Sequence, residues 1–401
     1  MKVLDGIRVV EVSSWLFVPI AGAALADWGA EVIKIDHPER PDPIRELRIA
    51  GLGEPGQPLR IMYEMANRGK RSLGLDITSA EGRELFTQMV GQADVFLTNL
   101  LPSSLKRMEL EVEDIRRIQP QIVYARGSGY GPRGDDADSP GFDGTAYWAR
   151  GGIADSLTPA DAALPTPSTP AMGDAPAGLS LAGAITAALL HRERTGHAAV
   201  VDVSLLGTAV WNAAPQIISA AWTGHAPVKA RREDNSNPVS LPYRLKDGRF
   251  IKLSLFTSDL HWASLCERMG RADLVTDERF HDSAARAANN VACIRELESA
   301  LGQLTIDEVI SRFTGMSGAW SVVRTVEEVV DDPQVRANGY IRSVQTGHGP
   351  IPVAGTPWQF DGAAPELAAA PEHGQHTEEI LLELGLDWDG LIKLKEAGVI
   401  T

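Results

Sequence analysis

Ile7-Arg8-Val9-Val10-Glu11-Val12, then a small-residue stretch from Ile20 to Trp28, then Glu31-Val32-Ile33-Lys34-Ile35-Asp36, is the passage from which the fold is read. The first and third pieces are short Val- and Ile-rich runs, the signature of strands buried on both faces. The piece between them is rich in alanine and suits a helix packed closely on a sheet. Strand, helix and strand inside about thirty residues make a βαβ unit, whose strands run parallel because the helix carries the chain back to its starting edge. The pattern recurs downstream. Arg71 to Leu75 is strand-like, and Thr78-Ser79-Ala80-Glu81 reads as a capping box for a helix through Met89. Asp94 to Thr98 is a further strand, an acidic helix spans Val112 to Ile118, and Ile122 to Ala125 is a strand again. Ala199 to Ser204 adds one more strand and Leu205 to Trp222 one more helix. The expected class is α/β, with an open, parallel, Rossmann-like sheet and ligands at the carboxyl ends of its strands.

Composition shifts near Gly224. A polar loop, Arg231 to Asn237, precedes a hairpin that turns at Asp247-Gly248. Helical periodicity follows over Leu260 to Met269, Ala285 to Leu301, Thr305 to Phe313 and Val326 to Val330. The reading is a large domain over 1–223, a smaller α+β domain over 224–324, and a segment over 325–401 that returns to the large domain. That last segment is expected to be loop-rich past Pro350, Pro352 and Pro357, with a helix from Thr377 to Leu384.

With 401 residues, 44% hydrophobic and 23% charged, the chain has the makings of real cores in a soluble protein. A net charge of −15 argues against nucleic-acid and membrane-surface binding, so an anionic ligand must be held by local basic clusters. Cys266 and Cys293 have no CxxC or Cys/His company, which excludes a disulfide framework and a metal site of that kind. Asp5 and Arg8 interrupt the N-terminus too early for a signal peptide, and no run approaches a membrane span. A cytoplasmic enzyme is expected.

Asp174 is the residue most informative about chemistry. It lies in Ala171-Met172-Gly173-Asp174-Ala175-Pro176-Ala177-Gly178, where a Pro-rich loop over Thr158 to Pro170 gives way to a small-residue helix. One reading is a plain N-cap. The other is a carboxylate kept ionised by free N–H groups and the helix dipole, with Gly173, Ala175 and Gly178 leaving room for a ligand, and hence a nucleophile.

Basic or polar clusters follow several strands: Lys34 with His37 and Arg40; Asn67-Arg68-Gly69-Lys70-Arg71; Asn99 with Lys106 and Arg107. Each alone reads as solvated surface, and together they suit a phosphorylated ligand. Gly127 to Gly131, containing Gly129, Tyr130 and Gly131, and the stretch Pro140-Gly141-Phe142-Asp143 read as an active-site wall with Gly173. The first βαβ turn, Ser13 to Pro19, has no GxGxxG, which weighs against a dinucleotide enzyme despite Asp36.

These motifs, in order along nearly the whole chain, resemble the class III CoA-transferases, the family of formyl-CoA and carnitine CoA-transferases, related to the α-methylacyl-CoA racemases. The resemblance rests on Leu4 to Glu11, Leu25 to Ile35, Asn67 to Leu73, Asp94 to Asn99, Pro140 to Asp143 and Gly173-Asp174. It implies an acyl-CoA:carboxylate CoA-transferase with Asp174 as catalytic aspartate, and CoA contacts from His37, Arg40, Lys70, Arg71, Asn99 and Arg107. It further implies acyl-CoA and a small carboxylic acid as substrates, no permanently bound cofactor or metal, and an interlocked homodimer.

The racemase branch carries its acid–base histidine in a Gly-His-Asp motif. Here the matching residues are Gly141-Phe142-Asp143, and no histidine occurs between His37 and His191, so transfer is favoured over racemisation. The glycine run of formyl-CoA transferase is also missing, because Ala230 to Leu241 contains no glycine. Formyl and oxalyl specificity are therefore not implied. A non-catalytic CoA-binding protein is the remaining alternative, opposed by the intact Gly-Asp site.

Overall fold

A computed structural model describes residues 1–52, 60–229, 231–347 and 349–401. Ala230, the first residue of the glycine-free stretch, lies outside the described residues. Two compact units are present, one comprising Met1–Pro227 with Gln334–Thr401 and the other Val228–Pro333.

The first unit is built on one parallel six-stranded sheet. Its strands are β1 (Arg8–Val12), β2 (Glu31–Asp36), β3 (Arg71–Gly74), β4 (Val95–Thr98), β5 (Val123–Ser128) and β6 (Val200–Ser204), in the order β3-β2-β1-β4-β5-β6. Val9 pairs with Val32 on one side and Val95 on the other, which sets β1 at the centre. The chain builds outward through β2 and β3, then crosses over β1 to place β4. Loops leaving β1 and β4 therefore diverge to opposite faces of the sheet and open a crevice at their carboxyl ends.

The helices around this sheet include α1 (Phe17–Asp27), α2 (Ile61–Asn67), α3 (Ala80–Gly91), α4 (Pro102–Arg107), α5 (Val112–Ile118) and α6 (Ile153–Leu157). They continue with α7 (Asp174–Thr195), α8 (Leu205–Asn212) and α9 (Ala214–Thr223). α1 and α7 share one face of the sheet, where Val9, Leu25, Leu181 and Ile185 are fully buried. Their close approach requires Gly178, because a Cβ there would stand 2.6 Å from Ile20 Cγ2 and 2.9 Å from the Phe17 carbonyl. The room expected at Gly178 for a ligand is thus filled by α1. The opposite face buries Phe86, Phe96 and Tyr124 with Leu381 and Ile400 from the C-terminal stretch, which also bridges Leu75 to Ile400.

Local chemistry revises several expected elements. α3 is capped by Ser79, whose side chain accepts from the Gly82 N–H; the matching position is a glycine, so no reciprocal box forms, and Thr78 bonds Asp76 instead. The helix expected over Leu205 to Trp222 is two helices broken at Ala213, because Pro215 cannot donate to the turn before it. The helix expected over Ala285 to Leu301 breaks at Asn289. The stretch after Gln334 is more regular than its prolines suggest. It carries an antiparallel ribbon (Ile341–Thr346 with Gly349–Ala354) and a final helix, Trp388–Glu396. Pro350 and Pro352 are tolerated in that ribbon because each strand has only one partner, leaving a side where a missing N–H costs nothing.

The second unit holds a three-stranded antiparallel sheet of β7 (Pro242–Arg244), β8 (Phe250–Ser254) and β9 (Ala319–Val322), in that order. Gly248, at φ 81°, makes the turn between β7 and β8. Cys266 and Cys293 are free thiols in its core, and burial pushes both up to about 12. The helix Val326–Val330 belongs to this unit, held by Arg249 to Glu328 at 2.6 Å, so the unit's boundary falls after that helix. No helix among the described residues is long and apolar enough to cross a membrane.

Candidate active site

A cavity of about 520 Å³ opens at the carboxyl ends of β1, β4 and β5, where the strand order reverses. Its walls are the turn after β1 (Ser14 to Phe17), the turn after β4 (Asn99 to Pro102), the end of β5 and the stretch Pro140 to Gly144. Trp15 and Phe142 are 37% and 50% exposed and mark its open side, whereas Asp174, 7% exposed, lines the buried end.

Asp174 is not an N-cap. Gly173 holds that position, and Asp174 is the first helical residue of α7. The anion seat at this helix end belongs to Asp143, whose two carboxylate oxygens accept from the Gly173 N–H at 3.0 and 3.1 Å. Gly173 is a glycine because a Cβ would meet the Tyr147 ring at 2.2 Å and Asp143 Oδ1 at 2.6 Å. Two acids thus share a buried site with no cation lining it among the described residues. Burial, reinforced by the charge of Asp143, pushes Asp174 up to about 7. Asp143 is also raised by burial, though the backbone N–H groups of Gly173, Asp174 and Met172 oppose this. The expectation that the helix end keeps Asp174 fully ionised is therefore overturned. A helix dipole contributes about 0.3–1 kcal/mol at an ordinary site, less than the desolvation of a buried carboxylate.

The helix start is likewise less available as an oxyanion donor than its sequence suggests. Gly173 N–H is committed to Asp143, Ala175 N–H donates to the Ala171 carbonyl at 3.0 Å, and Pro176 has no N–H.

The wall loops are locked by long-range polar contacts. Asn99 spends its amide on Ser14, accepting from its N–H at 3.0 Å and donating to its carbonyl at 2.6 Å, so it ties the β4 turn to the β1 turn. Trp15 adopts φ 69°, a left-handed conformation costing about 1–3 kcal/mol in a non-glycine residue. Its N–H donates to Asp42 Oδ1 at 3.0 Å, and its ring meets Phe142 edge-on at 5.3 Å. Asp42 is itself paired with Lys34 at 3.0 Å, inside a fully buried cluster that also holds Glu11 and Lys70. Burial opposes the charge on Lys34, but Asp42, Asp36 and Glu11 outweigh it and raise its pKa. Glycines let the remaining walls meet: a Cβ on Gly129 would stand 2.7 Å from Gly141 Cα.

The residues expected to act together are only partly brought together. Asn99, Gly129, Phe142, Asp143 and Asp174 line the cavity. Gly173 sits behind it, Tyr130 packs its ring beneath the Arg150 guanidinium at 4.9 Å, and Gly131 donates its N–H to Ser128 Oγ at 3.0 Å. Two residues expected to contact the ligand are paired within the protein in this structure. Lys70 is fully buried, 2.7 Å from Glu11 Oε2 and donating to Asn67 Oδ1 at 3.0 Å, and burial takes its pKa down to about 8. Arg71 begins β3, at the end of the strand away from the crevice, and is paired with Glu31, Glu379 and Glu383. His37 and Arg40 stand at the end of β2, near Asp76, whose carboxyl is lowered chiefly by its bond from Thr78, with smaller help from both. Arg107 is exposed on α4 and bonds Ser104. Tyr147, Trp148 and Trp211, aromatic residues from the neighbouring elements, do not line the cavity. The first two are core and Trp211 is 79% exposed. Trp15 and Asp42 were missed, although their places after β1 and β2 in a parallel sheet were the available signal.

The chain matches the profile of CoA-transferase family III over residues 4–377, and it belongs to that family, the class III CoA-transferases. It is 30% identical, over 99% of each chain, to the (R)-2-hydroxy-4-methylpentanoate CoA-transferase of Clostridioides difficile. It is also 30% identical to the succinate–glutarate CoA-transferase of Agrobacterium fabrum, covering 95% of each chain. A CaiB/BaiF family protein from Brucella suis superposes with a TM-score of 0.82 at 30% identity, covering 95% of this chain and 99% of that one.

Proposed function

We propose that this chain moves CoA from an acyl-CoA donor to a carboxylic acid acceptor, with Asp174 as nucleophile. The observation that carries the reading is a buried carboxylate that accepts no hydrogen bond among the described residues and lines the crevice that the strand order creates. In its ionised form Asp174 attacks the donor thioester carbonyl, giving an aspartyl–acyl anhydride and CoA thiolate. The thiolate attacks the aspartyl carbonyl, which releases the donor acid and leaves an aspartyl-CoA thioester. The acceptor carboxylate then attacks that thioester, and the returning thiolate takes the new acyl group, restoring Asp174. One thioester replaces another, so positioning dominates, and holding reactants in place is worth about 7–11 kcal/mol of barrier. Weak hydrogen bonding leaves the Asp174 oxygens nucleophilic, and Asp143 orients the turn that carries them through Gly173.

His37, Arg40 and Arg107, which lie outside the cavity, are the basic residues proposed to meet CoA phosphates. A homodimer is proposed as well. α9 has no buried residue although it carries Ile218 and Trp222, 66% and 88% exposed, an apolar face that water alone covers poorly. Light scattering at micromolar concentration should give twice the chain mass, and a monomer would refute it.

Proton transfer at the α-carbon has one observation in its favour, the coupled Asp143–Asp174 pair with Asp174 near neutrality. Against it, no histidine among the described residues lines the cavity, and Phe142 faces Trp15. Incubation in D₂O with acyl-CoAs and free acids, read by mass spectrometry of all CoA species, separates the two. New acyl-CoAs establish transfer, whereas α-deuterium without acyl exchange establishes racemisation and refutes the transferase reading.

A further inference from the structure

We infer that the acyl group taken by this site is a monocarboxylic one with an apolar chain, and that dicarboxylic acyl groups are rejected. This rests on the transferase reading above and names its substrate class. The thioester carbonyl must reach Asp174, so the first atoms of the acyl chain lie in the cavity that Asp174 lines. Around them are Leu16, Phe17, Leu100, Leu101, Phe142 and Leu205. Among the described residues lining the cavity there is no arginine, lysine or histidine. Its uncharged polar side chains, Ser14, Asn99, Ser104 and Ser128, offer no counter-charge. Asn99 is spent on the Ser14 backbone, Ser104 accepts from Arg107, and Ser128 accepts from Gly131 N–H.

A second carboxylate on the acyl chain would lose its water and meet no cation. It would also face Asp143 and Asp174, two acids that already disfavour one another's charge. The carboxylate that reacts is common to every substrate of such an enzyme, so it does not discriminate; the distal end of the chain does. An apolar end meets apolar wall, and a charged end meets either apolar wall or like charge.

Pentanoyl-CoA and glutaryl-CoA test this directly, since they have equal carbon counts and differ in a terminal methyl or carboxylate. The ratio of their kcat/KM values as donors is expected to favour pentanoyl by at least about 100-fold. The same ratio is read from binding to the Asp174→Asn protein, which needs no chemistry. Phe142→Arg, at a half-exposed position in the wall, is expected to narrow the discrimination to within about tenfold by supplying the missing cation. Equal or better use and binding of glutaryl-CoA would overturn the inference while leaving transfer intact. So would a discrimination unmoved by Phe142→Arg. If neither donor yields a new acyl-CoA, the transferase reading fails, and the binding ratio still decides which acyl class the cavity accepts.

Discussion

Two groups of acids stand near the carboxyl ends of these strands, one fully buried and one partly, and they are built on opposite principles. Glu11, Asp36 and Asp42 are matched by Lys34, Lys70 and Arg45, with Lys34 within 3.0 Å of Asp42 and Lys70 within 2.7 Å of Glu11. Among the described residues Asp143 and Asp174 have no cation beside them, and the backbone N–H groups at the helix start bond Asp143 and not Asp174. The first group sets three acids against three bases. It holds the Trp15 turn in a conformation that the chain would not adopt unaided. The second is frustrated, and frustration is what a nucleophile needs, because an acid satisfied by salt bridges has little to gain from attacking a carbonyl. Proximity to a charge cluster thus says little about reactivity; the balance inside the cluster says more.

The comparison can be broken most severely at Asp174. Asp174→Ala is expected to lower turnover by at least about 10⁴-fold while CoA binding, measured by calorimetry, survives. Retained turnover would move the chemistry elsewhere. Next in size is Lys34→Met, which strands Asp42, Asp36 and Glu11 without their central cation. A loss of about 3–5 kcal/mol in urea unfolding is expected, and a neutral result would mean the cluster is not the strut inferred here.

Asp174→Asn should act in the other direction on stability. The folded state holds the Asp174 proton up to about pH 7, whereas the unfolded chain releases it near 3.8. Folded protein therefore binds more protons between those values, and stability falls as pH rises through that window. Removing the titration should flatten the fall and leave the variant more stable at pH 8, by roughly 2–4 kcal/mol. If Asp174 is the nucleophile proposed above, turnover should fall on the acid side with one proton and a midpoint near 7, which a pH–rate profile checks. Asp143→Asn is the smallest perturbation, since its amide oxygen can still accept from Gly173. It should move that acid limb to lower pH by removing a like charge, with little change in Tm; an unmoved limb would show that burial alone sets it.

Much of this architecture was legible from local pattern. Val- and Ile-rich runs at Arg8–Val12 and Glu31–Asp36 bury both faces of a strand, and the alternation with helices required a parallel sheet. Asp174 at a helix start was legible for the same reason, since Pro170 and the alanines after it fix where the helix begins. The fate of the basic residues was not. Lys70 and Arg71 are adjacent in sequence beside a strand, yet one is sealed against Glu11 and the other points toward Glu31, Glu379 and Glu383. Glu379 and Glu383 arrive from some three hundred residues away, as the 308- and 312-residue separations of those bonds record. No local pattern carries that information.

The sequence by itself determined the parallel sheet, the family and the place of Asp174 at a helix start, because each depends on periodicity or on neighbours a few residues apart. Tertiary structure decided the strand order that places the crevice between β1 and β4, and the seating of Asp143 on Gly173 N–H thirty residues along the chain. It also decided the sign of the shift at Asp174. The physical reason is the range of the interactions. Hydrophobic periodicity acts along the chain, whereas desolvation and charge act through space, on whatever the fold brings near.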